Sequence, residues 1–207
     1  MMIRPIVEGQ GEVAALPVLL RRLRDEAEAW NIDIARPQRL HRGNFVQRER
    51  LQIAVRVAAL DNDVAAILLL LDADDDCPRE LAPRLNAWAT EAAGAKPCAV
   101  VMANREYEAW FLASIEALRG KASIRADATS HPDPEAPRAA KAELERRMHE
   151  GASYSPTVDQ ATLSAGLDLA QVYGACRSFR KLVMSFGTLV AATGVALPNW
   201  PPIAWGP

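Results

Sequence analysis

The sequence predicts an α/β domain whose mainly parallel sheet is flanked by helices, with a helical C-terminal extension. Short apolar segments alternate with amphipathic helical segments through about the first 100 residues, which is the pattern of a parallel sheet covered by helices. The run from Val64 to Leu71 is apolar and uncharged, as expected for a strand that is buried on both faces. Half of the 207 residues are hydrophobic, which suffices for one well-buried domain.

The first half of the chain follows a β-α-β-α-β-α-β order. The predicted strands span residues 3–7, 32–35, 65–71 and 97–102, and the predicted helices between them span residues 12–30, 45–60 and 78–93. Leu16, Leu20 and Leu23 recur at three- and four-residue spacings, which places them on one helical face. Pro78 suits the first turn of its helix and Gly94 suits the end. Residues 9–11 predict a tight turn, and residues 36–44 predict a loop.

The second half of the chain predicts mostly helices. Helical patterns cover residues 107–118, 139–149, 159–172 and 178–192, and a polar segment with three prolines at 120–137 predicts a loop. We therefore expect a core over residues 1–118 and a helical extension over residues 119–207 that packs on the same domain. The extension ends in a segment rich in proline and tryptophan, which either packs on the domain or reaches a partner.

Composition excludes several classes of protein. The 24 basic and 26 acidic residues give a net charge of −2, so whole-chain charge indicates no partner. The three cysteines have no C-x-x-C spacing, so no disulfide framework or zinc site is expected and a reducing compartment fits. No apolar run approaches the roughly 20 residues that span a bilayer, and the first residues lack a signal-peptide pattern. We expect a cytoplasmic protein without membrane contact.

Carboxylates follow three of the predicted strands. Glu8 ends the first strand, Asp72 and Asp74 end the third, and Glu106 and Glu108 follow the fourth. Open α/β sheets place their ligands at this edge. In an extended segment, residues two apart point the same way, so Asp72 and Asp74 could face one ion together. Clustered carboxylates repel each other unless a positive charge lies among them, and a hard divalent cation is the usual solution.

The sequence therefore predicts a Mg²⁺ or Mn²⁺ site. The turn after Glu8 contains Gly9 and Gly11 and could bring Glu12 into the same crevice. The candidate ligands are Glu8, Glu12, Asp72, Asp74, Glu106 and Glu108. The alternative for the aspartates is a solvated loop before Pro78, in which Asp75 or Asp76 caps the following helix. Glutamates such as Glu12 are also common in first helical turns.

Arginines cluster in the segment that follows the second predicted strand. Arg36, Arg39 and Arg42 lie in this segment, and Arg105 lies beside the acidic residues after the fourth strand. These four side chains could hold nucleic-acid phosphates next to a metal, or they could be solvated surface residues. Arg177, Arg180 and Lys181 form a second basic group that could hold phosphate, with solvation again as the alternative.

Val7-Glu8-Gly9-x-x-Glu12 followed by a buried strand and Asp72-x-Asp74 resembles the TOPRIM domain, which topoisomerases, primases and nucleases of the overcoming-lysogenization-defect type share. More specifically, Glu106-Tyr107-Glu108-Ala109-Trp110-Phe111-Leu112-Ala113 is similar to a motif of the TOPRIM-like bacterial family domain of unknown function 4276. Tyr154-x-Pro156 and Ser178-Phe179-Arg180-Lys181-Leu182 resemble that family too. The resemblance extends to about Gly187 and implies a TOPRIM/Rossmann-like core.

The resemblance implies magnesium-dependent phosphodiester chemistry. Glu8 would be the general acid/base or a metal ligand, Asp72 and Asp74 would be ligands in the catalytic set, and Glu12 would match the second acid of the nuclease-type pattern. We expect a nuclease, or a related enzyme that acts on nucleic acid, in a phage-defence or DNA-processing system with an ATPase partner. The alternatives are a non-catalytic binding or regulatory subunit with a vestigial metal site and, more weakly, an aspartate-dependent phosphatase.

Overall fold

A computed structural model describes residues 1–206 as a five-stranded parallel sheet with helices on both faces. The strands are β1 Met2–Val7, β2 Asp33–Ile34, β3 Gln38–Arg39, β4 Val64–Asp72 and β5 Cys98–Ala103. The helices are α1 Gln10–Glu26, α2 Arg42–Phe45, α3 Arg48–Ala59, α4 Pro78–Ala93, α5 Ala109–Leu112, α6 Ile115–Leu118, α7 Ala140–Glu145, α8 Pro156–Gly166, α9 Leu169–Ala175, α10 Arg177–Ala192 and the short 3₁₀ helix Ile203–Trp205. The predicted fold class, a parallel sheet flanked by helices with a Rossmann-like core, is confirmed.

The strand order is β2-β1-β4-β5, and β3 pairs with β1 beyond β2. β1 therefore lies between the β2/β3 edge and β4, with Val7 opposite Leu70 and Arg39. Pro37 separates β2 from β3, and a proline cannot donate a hydrogen bond to the sheet. This arrangement brings the carboxyl ends of β1, β4 and β5 to one edge, where Glu8 and Asp72 lie on neighbouring strands.

Each face of the sheet has its own hydrophobic core. The side chains of β4 alternate between them: Leu68 and Leu70 pack on the side of α1, α8 and α10, whereas Ile67, Leu69 and Leu71 pack on the side of α3 and α4. Burial on both faces explains why β4 is the continuous apolar run of the sequence. The first core also contains residues of α5 to α10, so the C-terminal helices bury the same surface of the sheet as α1.

Several predicted boundaries are wrong. The expected loop at 36–44 contains β3 and the start of α2, and the expected helix at 45–60 is divided because the backbone becomes extended at Gln47 (φ −102°, ψ 112°). The expected helix at 107–118 is two single turns, broken at Ser114, whose Oγ accepts a hydrogen bond from the backbone N–H of Asp168 at 2.9 Å. Asp168 then caps α9 through Gln171, which divides the expected helix at 159–172.

The segment rich in proline and tryptophan packs on the domain. The Trp200 indole N–H donates to the carbonyl of Val183 at 3.0 Å, and its ring lies 5.9 Å from the ring of Phe186. A Cβ on Gly187 would lie 2.2 Å from Trp200 Cδ1, so this glycine lets the indole approach α10 closely. Within residues 1–206, no helix is both long enough and apolar enough to cross a membrane.

Candidate metal and phosphate site

The first-strand glutamate lies at the sheet edge beside the end of β4. Glu8 follows Val7, and Val7 pairs with Leu70 of β4, so Glu8 lies near Asp72. Its Oε2 is buried and has no hydrogen-bond partner, although the Arg42 guanidinium lies 3.6 Å away. Burial raises the pKa of Glu8, Arg42 opposes this, and the nearby Asp74 and Glu12 carboxylates raise it further. The charges of Glu12 and Asp74 thus act on Glu8.

Glu12 projects from the first turn of α1 toward the same edge. Its Oε1 accepts a hydrogen bond from Gln160 Nε2 of α8 at 3.3 Å, whereas its Oε2 is buried without a partner. Gly9 makes room for this carboxylate, since a Cβ at residue 9 would lie 2.2 Å from Glu12 Oε2. The glycine after Glu8 therefore permits the second glutamate to approach the turn.

Asp72 is the last residue of β4, and its carboxylate accepts a hydrogen bond from the backbone N–H of Tyr107 at 2.8 Å. Burial raises the pKa of Asp72 well above its ordinary value, the Glu108 and Glu12 carboxylates raise it further, and Lys141 opposes the shift. A carboxylate that lacks sufficient positive charge around it behaves in this way. The carboxylates of Glu8, Glu12 and Glu108 therefore all act on the pKa of Asp72.

Asp74 has a different backbone geometry from the one that the D-x-D spacing assumed. The extended backbone ends at Asp72, and Asp74 is exposed with a positive φ of 48°. Its backbone N–H donates to the carbonyl of Arg105 at 2.8 Å, and Arg105 returns a hydrogen bond to the Asp74 carbonyl at 3.0 Å. Arg105 also has a positive φ, 64°. Two strained loop residues thus brace each other, and Asp74 lies in a turn rather than in the extended segment.

Glu106 and Glu108 lie on either side of Tyr107 and have different surroundings. Glu106 Oε2 accepts a hydrogen bond from the backbone N–H of Lys141 at 2.9 Å, at the start of α7. Glu108 is 1% exposed, and neither of its carboxylate oxygens has a hydrogen-bond partner. Burial raises the pKa of Glu108 to about 7, with Lys141 opposing. Glu108 is therefore the more poorly satisfied of the two carboxylates.

Lys141 is the cation nearest to Glu106 and Glu108, and no sequence pattern indicates it. Its Nζ lies 3.6 Å from Glu106 Oε1 and 4.0 Å from Glu108 Oε2. Desolvation lowers the pKa of Lys141, but Glu108, Asp72 and the other carboxylates around it outweigh this and raise it. The lysine lies in a short helix of the extension, and no motif or spacing connects it with the strand ends. Tyr154 and Gln160 also lie at the cluster, beside Glu108 and Glu12. Of the sequence motifs, only Tyr154-x-Pro156 indicated this part of the extension.

The arginines expected to hold phosphate have different partners. Arg39 is exposed and donates to the carbonyl of Glu8 at 3.2 Å. Arg42 pairs with Asp76 and donates to the Asp72 carbonyl, so it braces the acidic loop. Arg105 lies 3.4 Å from Asp75. Arg36 is exposed and precedes β3. Arg39, Arg42 and Arg105 therefore lie beside the carboxylates.

The expectation that Asp75 or Asp76 caps α4 is wrong. Cys77 occupies the capping position, and no side chain accepts a hydrogen bond there. Asp76 instead pairs with Arg42, and Asp75 lies within 3.6 Å of Arg138. Arginines thus hold the carboxylates of this loop.

The donor chemistry of the cluster fits a hard divalent cation. Carboxylate oxygens are the ligands that Mg²⁺ prefers, and unpaired buried oxygens occur on Glu8, Glu12 and Glu108. The present side-chain positions fit less well, because within residues 1–206 no three His, Cys, Asp or Glu side chains are arranged to hold a metal ion. A cation would have to draw the carboxylates together.

Comparison with protein families matched residues 7–186 to the family described as "Domain of unknown function (DUF4276)". The match begins at Val7, directly before Glu8, and ends within α10, so it includes every carboxylate of the cluster and Lys141. Comparison with curated proteins found no match, and comparison with solved structures found none either. Since the match covers most of its length, the chain belongs to the family known as domain of unknown function 4276.

Proposed function

We propose that the protein is a divalent-metal-dependent enzyme that hydrolyses phosphodiester bonds in nucleic acid. The observation that carries this proposal is the position of Glu8 and Asp72 at the carboxyl edge of paired parallel strands, together with buried oxygens of Glu8, Glu12 and Glu108 that lack partners. A buried carboxylate needs a positive partner, and a cation is the partner that these oxygens fit. The order Glu8-Gly9, buried strand, Asp72-x-Asp74 also resembles the TOPRIM domain, for which this chemistry is expected.

Each group would have a defined part in hydrolysis. Glu8, Asp72 and Asp74 would hold the cation with help from Glu12, and a bound Mg²⁺ or Mn²⁺ would activate water and neutralise charge on the phosphate. Glu8 is partly exposed and its pKa is raised by burial, so it could instead accept a proton from the attacking water. Arg39 and Arg105 lie at the rim, where guanidinium groups can bind phosphate oxygens.

A non-catalytic binding or regulatory subunit is the second candidate, and Lys141 is the observation that favours it. An ammonium group within 4.0 Å of Glu106 and Glu108 already places positive charge among the carboxylates. If Lys141 neutralises the cluster sufficiently, the site would need no metal and would be vestigial. A role beside an ATPase in a defence or DNA-processing system remains a prediction under either function.

A cleavage assay combined with calorimetry distinguishes the two candidates. Purified protein is incubated with plasmid and with single-stranded DNA in Mg²⁺, Mn²⁺ or EDTA, and titration calorimetry measures binding of each metal. We expect metal-dependent cleavage that falls at least about 100-fold in Glu8→Gln and in Asp72→Asn, because each removes a charge that the reaction uses.

Matched controls are available at exposed acids without side-chain partners. Glu150→Gln and Asp63→Asn make the same chemical changes away from the cluster, and both should retain wild-type cleavage. Absence of metal binding together with absence of cleavage of either DNA would support the non-catalytic subunit, because Lys141 would then supply the positive charge that the cluster needs. Cleavage that persists in Asp72→Asn, or absence of metal binding in the wild type, would contradict the proposed enzyme.

A further inference from the structure

A cavity separate from the carboxylate cluster lies along the β5 edge of the sheet, between the first turns of α4 and α10. Its volume is about 720 Å³, which is within the usual range for small-molecule sites. Pro78, Pro83, Val100 and Met102 give it an apolar wall. Sites for organic ligands combine such a wall with a few polar groups. None of the six carboxylates of the metal cluster lines this cavity, so it is a separate site.

Three positive side chains line the cavity, and they are Arg79, Arg177 and Lys181. Among residues 1–206, none of the three forms an ion pair with an acidic side chain. Arg177 and Lys181 lie one turn apart on α10, so their side chains share a face of this helix. Arg180 faces elsewhere and donates to the carbonyls of Tyr173 and Gly174.

The one carboxylate in the cavity wall has its hydrogen bonds satisfied. Glu135 is 8% exposed and accepts hydrogen bonds from the backbone N–H groups of Arg177 and Ser178 at 3.0 and 2.9 Å. It also accepts one from the Ser178 hydroxyl. Because Glu135 is occupied by the start of α10, it does not pair with the three cations, and the cavity keeps an excess of positive charge.

Two of the cations also lie where they reduce stability. Arg79 is in the first turn of α4, and Arg177 is the first residue of α10. Positive charges at helix N-termini are unfavourable because the helix dipole is positive there, typically by about 0.3–1 kcal/mol. Helix stability therefore does not explain these arginines. Their positions beside the cavity suit the binding of an anion.

We propose that this cavity binds a nucleoside monophosphate unit, either free or at the 5′ end of a strand. Arg79, Arg177 and Lys181 bind the phosphate, since arginine and lysine are the usual phosphate-binding side chains. The base and ribose lie against the wall of Pro83, Val100 and Met102. A phosphate ion alone would fill only a small part of 720 Å³. This proposal does not depend on metal-dependent hydrolysis at the carboxylate cluster.

Titration calorimetry of the full chain at low salt tests the site with four probes: AMP, adenosine, inorganic phosphate and a 5′-phosphorylated single-stranded decamer. We expect AMP to bind at least about tenfold more tightly than adenosine and inorganic phosphate, because it uses the cations and the apolar wall together. Higher salt should weaken this binding. Stronger binding of the decamer than of AMP would identify a strand end, and equal or weaker binding would identify a free nucleotide.

The variants Arg177→Gln and Lys181→Gln should each weaken AMP binding by about tenfold or more, as expected for loss of a charged hydrogen bond. Arg50→Gln removes an exposed cation outside the cavity and should leave binding unchanged. Titration in EDTA should give the same affinity, which separates this site from the proposed hydrolytic site. Equal affinity for AMP and adenosine, equal affinity for AMP and phosphate, or no binding of any probe would overturn the proposal.

Discussion

At the scale of single residues, the most unusual group is Glu108. It is 1% exposed with no hydrogen bond to either carboxylate oxygen, and its nearest cation, Lys141, lies 4.0 Å away. A buried ionised group without close partners costs stability. The charge of Glu108 therefore does not contribute to folding, and a role in the carboxylate cluster is the better explanation for it.

We predict that Glu108→Gln stabilises the metal-free protein above neutral pH. Burial raises the pKa of Glu108 from 4.5 to about 7, so the unfolded chain releases this proton at lower pH than the native protein does. The carboxylate therefore lowers stability progressively as the pH rises from about 4.5 to 7, and the loss stays constant above that. The pKa difference corresponds to about 3 kcal/mol at pH 8.

Urea unfolding of wild type and Glu108→Gln in EDTA, at pH 4.5 and at pH 8, measures this effect. The two proteins should be nearly equally stable at the lower pH, and the variant should be more stable at the higher pH. Glu150→Gln is the control, because Glu150 is exposed and should show no such difference. A variant that is less stable than wild type at pH 8 would show that Lys141 already compensates the Glu108 charge.

Only some residues of the candidate site could be placed from the sequence. Glu8 and Asp72 could be placed together because each ends an apolar strand, and paired parallel strands bring their carboxyl ends to one edge. The positive φ of Asp74 could not be predicted from the sequence, because glycine is the residue that usually marks such a turn. Lys141 could not be found either, because only the tertiary fold of the extension brings it to Glu108.

At the scale of elements, helices with explicit end signals were predicted correctly. The helix α4 spans Pro78–Ala93 as expected, since Pro78 fits the first turn and Gly94 ends it with a φ of 64°. The breaks between α2 and α3 and between α8 and α9 were missed. At the break between α8 and α9, the backbone N–H of Asp168 donates to Ser114 Oγ, and this tertiary contact cannot be read from the sequence.

The packing of α1 on α8 gives a prediction at this scale. A Cβ at Gly11 would lie 2.8 Å from both Pro156 Cβ and the Pro156 carbonyl oxygen, and 2.1 Å from Gln160 Oε1. The Pro156 backbone cannot move aside easily, so Gly11→Ala should separate the helices. We expect a loss of about 1–3 kcal/mol from overpacking, even though alanine is the better helix former by about 1 kcal/mol.

Chemical denaturation of Gly11→Ala, compared with Gly174→Ala, measures this loss. Gly174 lies in α9 and has open space where a Cβ would be, so its variant should equal or slightly exceed wild-type stability. Gly9→Ala should cost less than Gly11→Ala because its added Cβ meets only the flexible end of Glu12. If Gly11→Ala were as stable as Gly174→Ala, the close approach of α1 to α8 would be wrong.

At the scale of the whole molecule, the sheet and the C-terminal helices share hydrogen bonds as well as a core. The Tyr107 hydroxyl lies 2.9 Å from Ser164 Oγ of α8, and the Trp110 indole N–H donates to Ser178 Oγ of α10 at 2.8 Å. Both aromatic residues are fully buried. The Lys141 contact with Glu106 and Glu108 joins the same two parts of the chain at the candidate site. The extension therefore completes the environment of the carboxylates.

Because the sheet and the C-terminal helices share one core and several hydrogen bonds, we predict that residues 1–118 do not fold alone. The fragment would lose Phe179, Leu182 and Phe186, which are fully buried in the core around α1 and β5. Each large apolar side chain contributes about 1.5–3 kcal/mol on burial, so these three alone contribute about 5–9 kcal/mol. That loss is comparable with the whole stability of a typical domain, about 5–15 kcal/mol.

We expect the 1–118 fragment to bind a hydrophobic dye and to melt without a cooperative transition by circular dichroism. A fragment that ends at Leu197 should keep a sharp transition at a lower Tm. A cooperative melt of the 1–118 fragment would contradict this and would make the boundary near residue 118 a true domain boundary.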